Sequence, residues 1–193
     1  SAFGEQDDSL PDQIVIIPGF DTDRVRKVIT QVDPSLLMRD RESIIWILGE
    51  PHSPQDSWRV NLLRDLHGLT NTPESGRIFV SSTFDYISIW NILDDVYEDH
   101  ATTSRITISP MGSKLQAVGI VLFCLTKPDV KLIHATPRRY KPARYTKGLK
   151  AVWLLEFGQV AALRQLISSV GEYTISYGSE DILAGTRRLA WKS

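Results

Sequence analysis

Short runs of uninterrupted apolar residues alternate along this chain with stretches whose apolar positions recur every three or four residues. Residues 13–17 (QIVII) are continuous and β-branched, and Pro18-Gly19 closes them. That is the pattern of a strand covered on both faces, which needs no polar alternation. Asp21 or Thr22 then caps a helix predicted to run to about Val32, with Val25, Val28, Ile29 and Val32 along one face. Asp33-Pro34 ends it. The cycle repeats with a strand over 43–48 (SIIWIL), closed by Gly49-Glu50-Pro51, and a helix over 56–68 with Trp58, Leu62, Leu63 and Leu66 inward. A third strand covers 77–80, and Ser81-Ser82-Thr83 offers caps for a helix over 85–98. A fourth strand over 105–108 leads through Pro110-Met111-Gly112 into a long apolar helix, 113–126. Strands at 130–134 and 151–157 (AVWLLEF) and a helix at 158–170 complete the rhythm, and 173–177 reads as an edge strand or as irregular tail.

Strands alternating with helices predict a parallel sheet covered on both faces. The fold class is therefore α/β, a Rossmann-like three-layer sandwich with a mostly parallel sheet of five or six strands. No Pro/Gly/Ser-rich linker divides the chain, so residues 1–12 read as a tail, 13–170 as the domain and 171–193 as an appendage of it. The composition, 42% hydrophobic and 23% charged over 193 residues, excludes collagen-like and disordered classes. A single cysteine, Cys124, forms no internal disulfide and fits the reducing cytoplasm. No apolar stretch approaches the length of a membrane span. Ser1-Ala2-Phe3-Gly4-Glu5 does not read as a signal peptide, and the missing Met fits a processed product or part of something longer.

The net charge of −1 conceals a partition. Residues 1–126 carry 10 basic against 18 acidic side chains, −8; residues 127–150 carry 8 against 1, +7; residues 151–193 balance at 4 and 4. An anionic ligand is therefore expected near the window that follows the fifth strand.

Ligands of open α/β sheets bind outside the carboxyl ends of the strands, so the loops there carry the candidate chemistry. Ser109-Pro110-Met111-Gly112-Ser113-Lys114 comes first. Gly112 permits close backbone approach, Ser113 caps the helix or binds an oxygen, and Lys114 opposes the helix dipole unless an anion sits there. The plainer alternative is a capped turn with a solvated lysine, and the Walker spacing is absent. Second is Pro18-Gly19-Phe20-Asp21-Thr22, where Gly19 allows close approach and Asp21 or Thr22 binds a ribose or base, or simply caps the helix. Third is the basic window, where Tyr140 and Tyr145 interleave with Arg138, Arg139, Lys141, Arg144 and Lys147. Arginine binds phosphate bidentately and tyrosine stacks on a base, whereas the plainer reading is a solvated loop. Ser81-Ser82-Thr83-Phe84-Asp85 reads as a capping segment before a pocket lining.

Catalytic constellations are thin. The four histidines lack metal-ligand spacing, so neither a metal nor another cofactor is expected. His134 at the end of the fifth strand and Glu50 after the second are the acid–base candidates. Cys124 lies in an apolar helix and reads as inert, and Asp94-Asp95 with Glu98-Asp99 reads as solvated surface.

The succession of strand, Met111-Gly112-Ser113-Lys114, long apolar helix and strand resembles the core of CARF domains, the CRISPR-associated Rossmann-fold sensors. Gly19-Phe20-Asp21-Thr22 resembles their second ligand loop, and the likeness covers about 13–135. Ser113 stands where the family more often has Thr, and one glycine replaces two. The resemblance implies a sensor for a cyclic oligonucleotide at a twofold homodimer interface, within a larger antiviral defence protein; no effector domain is recognisable. The expected function is thus a regulatory module binding a phosphorylated nucleotide or cyclic oligonucleotide. An enzyme on a phosphate-bearing metabolite is the alternative, and an assembly domain contacting nucleic acid through residues 138–147 is the third reading.

Overall fold

Ile14 to Ile17 are wholly buried, as a strand flanked by two others and roofed on both faces must be. The computed structural model describes residues 9–37, 44–70 and 76–135, and the backbone of 153–157 and 186–190. Five strands, β1 (Asp12–Ile17), β2 (Ile44–Glu50), β3 (Ile78–Ser82), β4 (Arg105–Pro110) and β5 (Lys131–Leu132), form one sheet in the order β3-β2-β1-β4-β5. Every pairing in it is parallel. The helices are α1 (Thr22–Val32), α2 (Trp58–Leu66), α3 (Tyr86–His100) and α4 (Lys114–Thr126). The result is the α/β, Rossmann-like sandwich that the apolar rhythm predicts.

Side chains alternate across the sheet and build two cores. Ile14, Ile16, Ile44, Trp46, Leu48 and Ile78 bury against Val25, Val28 and Ile29 of α1, Leu63 of α2, Leu69 and Met111. On the other face α3 and α4 pack together, with the Phe123 ring edge-on to Trp90 at 5.9 Å. Gly119 makes that contact possible. A Cβ there would run into the Tyr86 carbonyl and lie 2.5 Å from Ile89 Cγ2.

The α2 face differs from the expected one. Trp58 and Leu66 are exposed, at 54% and 41%, and Leu63 alone of the expected four is fully buried. A short 3-10 turn over Pro54–Asp56 feeds the helix, and the inward stripe is Val60, Leu63 and His67, the last stacked on Trp46 at 5.5 Å. The inward set is spaced i, i+3, i+7, and Trp58 stands at the first position of α2.

At the sheet's amino-terminal edge the acidic residues of α3 do more than face water. Lys127 bridges Asp94 at 3.5 Å and Glu98 at 3.2 Å, and its ammonium lies 4.2 Å from the centre of the Tyr97 ring. Tyr97 in turn donates its hydroxyl to both Asp129 oxygens, at 2.9 and 3.0 Å.

The chain divides into two compact units, Ser1–Thr136 and Pro137–Ser193. In the second, β6 (Trp153–Phe157) runs antiparallel to β7 (Thr186–Ala190), so the sixth strand belongs to a separate two-stranded sheet. The helix expected at 158–170 and the strand at 173–177 lie outside the described residues.

Two outcomes follow from this packing. Gly119→Ala forces α3 and α4 apart and is expected to cost about 1–3 kcal/mol, read as a shift in the urea midpoint with an unchanged slope. Burial, aided by the Asp129 charge, pushes the Cys124 thiol from its ordinary 9.0 up to about 12, and burial with the Asp129 hydrogen bond raises the Tyr97 phenol as well. Both groups stay protonated in the folded state longer than in the unfolded one. Their stabilisation is complete below the ordinary values and is lost as pH climbs from about 9 towards 12. Urea midpoints between pH 8 and 11 should fall, and the fall should flatten in the Tyr97→Phe, Cys124→Ala double variant.

Candidate functional site

The strand order reverses between β1 and β4: the chain builds outward from β1 to β3, then crosses back to lay β4 on the other flank of β1. At such a switch point the loops leaving two adjacent strands diverge to opposite faces and leave a crevice between them. Here they are the loop from Pro18 to Asp21 and the turn from Met111 to Ser113. They remain tightly joined at the base, where the Met111 N–H donates to the Ile17 carbonyl at 2.9 Å.

Both glycines singled out in the sequence are required by this approach. A Cβ on Gly19 would lie 2.9 Å from the Met111 carbonyl oxygen. One on Gly112 would strike the Gln116 side-chain oxygen and come within 2.6 Å of Ile17 Cγ2. His67, just past α2, adds a third tie, its Nε2 lying 2.9 Å from the Gly19 carbonyl oxygen.

Ser113 is the N-cap of α4 and forms a complete capping box with Gln116. The Ser113 hydroxyl accepts the Gln116 N–H at 3.1 Å, and the Gln116 Oε1 accepts the Ser113 N–H at 2.9 Å. The same hydroxyl donates to the Thr83 carbonyl at 2.7 Å, while Gln116, wholly buried, points its Nε2 at the Ser81 carbonyl, 3.4 Å away. Thr83 is fixed in turn by its N–H and hydroxyl, both on the Glu50 carbonyl, at 2.8 and 3.0 Å. The ends of β2 and β3 and the start of α4 are thereby one hydrogen-bonded unit. Sequence reasoning passed over Gln116, although Ser113-Lys114-Leu115-Gln116 carries the S-x-x-Q capping signature.

Of the four helices that follow the strands of this sheet, α1 and α3 start on an aspartate, whereas α2 and α4 have no acid in the first turn; α2 carries Arg59 there, 3.4 Å from Asp56. Asp21 caps α1, accepting the Arg24 N–H at 3.2 Å, and Asp23 follows in the first turn. Asp85 caps α3, accepting the Ile87 N–H at 3.0 Å. Of the alternatives the sequence left open for Asp21 and for the Ser81–Asp85 segment, capping is the role these bonds describe; Thr22 is the first residue of α1 and half-buried. The α4 terminus carries no acid in its first turn and has the exposed Lys114 instead.

The acid–base candidates do not converge. Glu50 ends β2 and His134 lies two residues past β5, with β1 and β4 between. At the ordinary strand spacing they stand about 14 Å apart, too far to serve one proton transfer. No group of three metal-ligating side chains exists among the described residues. Nor is any helix among them long and apolar enough to cross a membrane. Arg138, Arg139, Tyr140, Arg144, Tyr145 and Lys147 lie outside the described residues. The described chain before them is pinned by Arg24, whose guanidinium donates twice to the Ala135 carbonyl, at 2.8 and 3.0 Å.

The capping box makes a measurable claim. Gln116→Leu keeps the volume and strands the Ser113 N–H, and is expected to cost about 1–3 kcal/mol. Ser113→Ala, which loses a cap and the Thr83 bond, should cost about 1–2 kcal/mol; chemical denaturation compares the two. No family model, no curated protein and no solved structure matches this chain, so the geometry of the switch point carries the functional reading.

Proposed function

We propose that this chain is a ligand-binding, regulatory module whose ligand is a phosphorylated nucleotide held at the β1/β4 switch point. The observation that carries the reading is the start of α4 where the β1 and β4 loops meet, capped by neutral groups, with Lys114 and no acid in its first turn. Asp21 and Asp85 already satisfy the starts of α1 and α3 with negative charge. The neutral cap of α4 leaves the dipole uncompensated and sets Lys114 beside it. Unliganded, that arrangement is mildly unfavourable, by about 0.3–1 kcal/mol for one exposed charge. A phosphate reverses the sign, since it meets both the helix terminus and the ammonium.

Gly112 and Ser113 bring backbone close to such a ligand, and Gly19 lets the β1 loop close on the same crevice. Among the described residues Glu50 and His134 do not form an acid–base pair, so the reading is one of binding. Cyclic oligonucleotides, which the CARF resemblance suggests, belong in the first panel with mononucleotides.

Thermal melts against that panel test the reading. A cognate ligand at about 100 times its Kd adds about 2.7 kcal/mol of stability, a rise of several degrees in Tm. Lys114→Ala should abolish the rise without lowering the unliganded Tm. A flat response to every anion sinks the proposal, and product formation dependent on Glu50 or His134 would replace it with the enzyme reading.

A further inference from the structure

We propose that a second copy of this chain pairs with β3 along its free edge, antiparallel about a twofold axis at Val80, and continues the sheet from one copy into the other.

The ladder with β2 shows which backbone groups are available. β3 ends the sheet, with β2 on one side and no strand on the other. The Trp46 N–H donates to the Arg77 carbonyl at 2.7 Å, and the Thr83 N–H donates to the Glu50 carbonyl at 2.8 Å. A parallel ladder bonds alternate residues of each strand, so residues 77, 79, 81 and 83 face β2. Ile78, Val80 and Ser82 therefore turn their N–H and C=O groups outward. Among the described residues neither backbone group of Val80 has a partner, and Val80 is 40% exposed.

Exposure alone decides nothing, since Trp58 and Leu132 are more exposed than Val80. The contrast between the two edges of the sheet does. Proteins blunt free edges with short strands, lysine, proline or bulges, because an open ladder otherwise recruits another strand. β5, at the far edge, has two residues, and one of them is Lys131. β3 has five, IFVSS, none charged and none proline, and its register with β2 runs from Ile78 to Ser82 without a bulge.

Symmetry and charge name the occupant. A twofold axis at Val80 lets the two Val80 residues exchange both N–H···O bonds and sets Ile78 of each copy across from Ser82 of the other. Such a contact places the axis residue against itself, where a charge would repel and a valine does not. Arg77 precedes the strand and Asp85 follows it. Antiparallel pairing brings the basic end of each strand to the acidic end of the other, whereas parallel pairing would set like against like. Five residues of strand, and a sheet between two helix layers, give a rim of about 17 by 30 Å, roughly 500 Å² per copy. That is near the lower limit for a specific contact, so the dimer is weak and depends on concentration.

Sedimentation velocity of the full chain from about 1 to about 500 µM tests this, and a monomer–dimer equilibrium with a Kd on the order of 10–100 µM is expected. Val80→Lys sets two ammonium groups at the axis, and Val80→Pro deletes the outward N–H while sparing the ladder to β2. Each should weaken the dimer at least about tenfold. Circular dichroism checks that both variants fold; if Val80→Pro does not, Val80→Lys decides. Val80→Cys reads the register, because a hydrogen-bonded antiparallel pair holds its Cα atoms about 5.5 Å apart, within disulfide range. Mild oxidation should then cross-link two chains, with the buried Cys124 left out. A chain that stays monomeric across the whole range overturns the proposal. So does a dimer that Val80→Lys leaves unweakened, or one that Val80→Cys fails to cross-link.

Discussion

A chain that reverses its strand order must bring two strands side by side that lie far apart in sequence, and here they are β1 and β4. They pair in register over six positions, from Asp12 with Arg105 to Ile17 with Pro110. Closing so long a loop is entropically costly, so the pairing needs a large compensating term. The Arg105–Asp12 ion pair at its amino end, 3.0 Å long and partly exposed, supplies at most about 1 kcal/mol. The apolar side chains do the rest. Ile14, Val15, Ile16, Ile17, Ile106 and Ile108 are buried almost completely, at about 1.5–3 kcal/mol each. Hydrophobic burial therefore holds the two strands together, and the loops at their far end meet because they are held.

That dependence explains which parts of the fold the amino-acid pattern discloses. Strands buried on both faces, such as β1 and β2, announce themselves as unbroken β-branched runs. The long helices α3 and α4 follow from their lengths and their caps. Where burial is partial the pattern loses its grip. Trp58, Leu62, Leu63 and Leu66 form a plausible helical stripe, yet only Leu63 of them is fully buried, with Val60 and His67 sharing its side of α2. β7 lies in a stretch, Thr186–Ala190, that includes Arg187 and Arg188, and no apolar run marks it.

The candidate site divides along a similar line. Gly19, Gly112, Ser113 and Lys114 were legible because a glycine, a hydroxyl and a cation after a strand each have a known use at a helix start. Their partners were not. Gln116 binds Ser113 within one helical turn, a local motif open to inspection, whereas Thr83, Glu50 and His67 reach the turn only through tertiary folding. His52 and Phe84 are 32 positions apart and meet because β2 and β3 are neighbours in the sheet. Sequence spacing carries no trace of that.

The capping box also shapes what the α4 terminus can offer a ligand. A helix leaves four N–H groups without intrahelical partners. The Ser113 hydroxyl takes the Gln116 N–H, and the glutamine side chain takes that of the cap itself, so the amides of Lys114 and Leu115 fall outside the box. With Asp at the cap, as in α1 and α3, the terminus would be satisfied by charge and closed to anions. With Ser and Gln it is satisfied by neutral groups, the dipole persists, and Lys114 adds to the field. The stability of this terminus is thus supplied without a charge. The neutral box holds the start of α4, while the dipole field that it does not cancel persists beside Lys114.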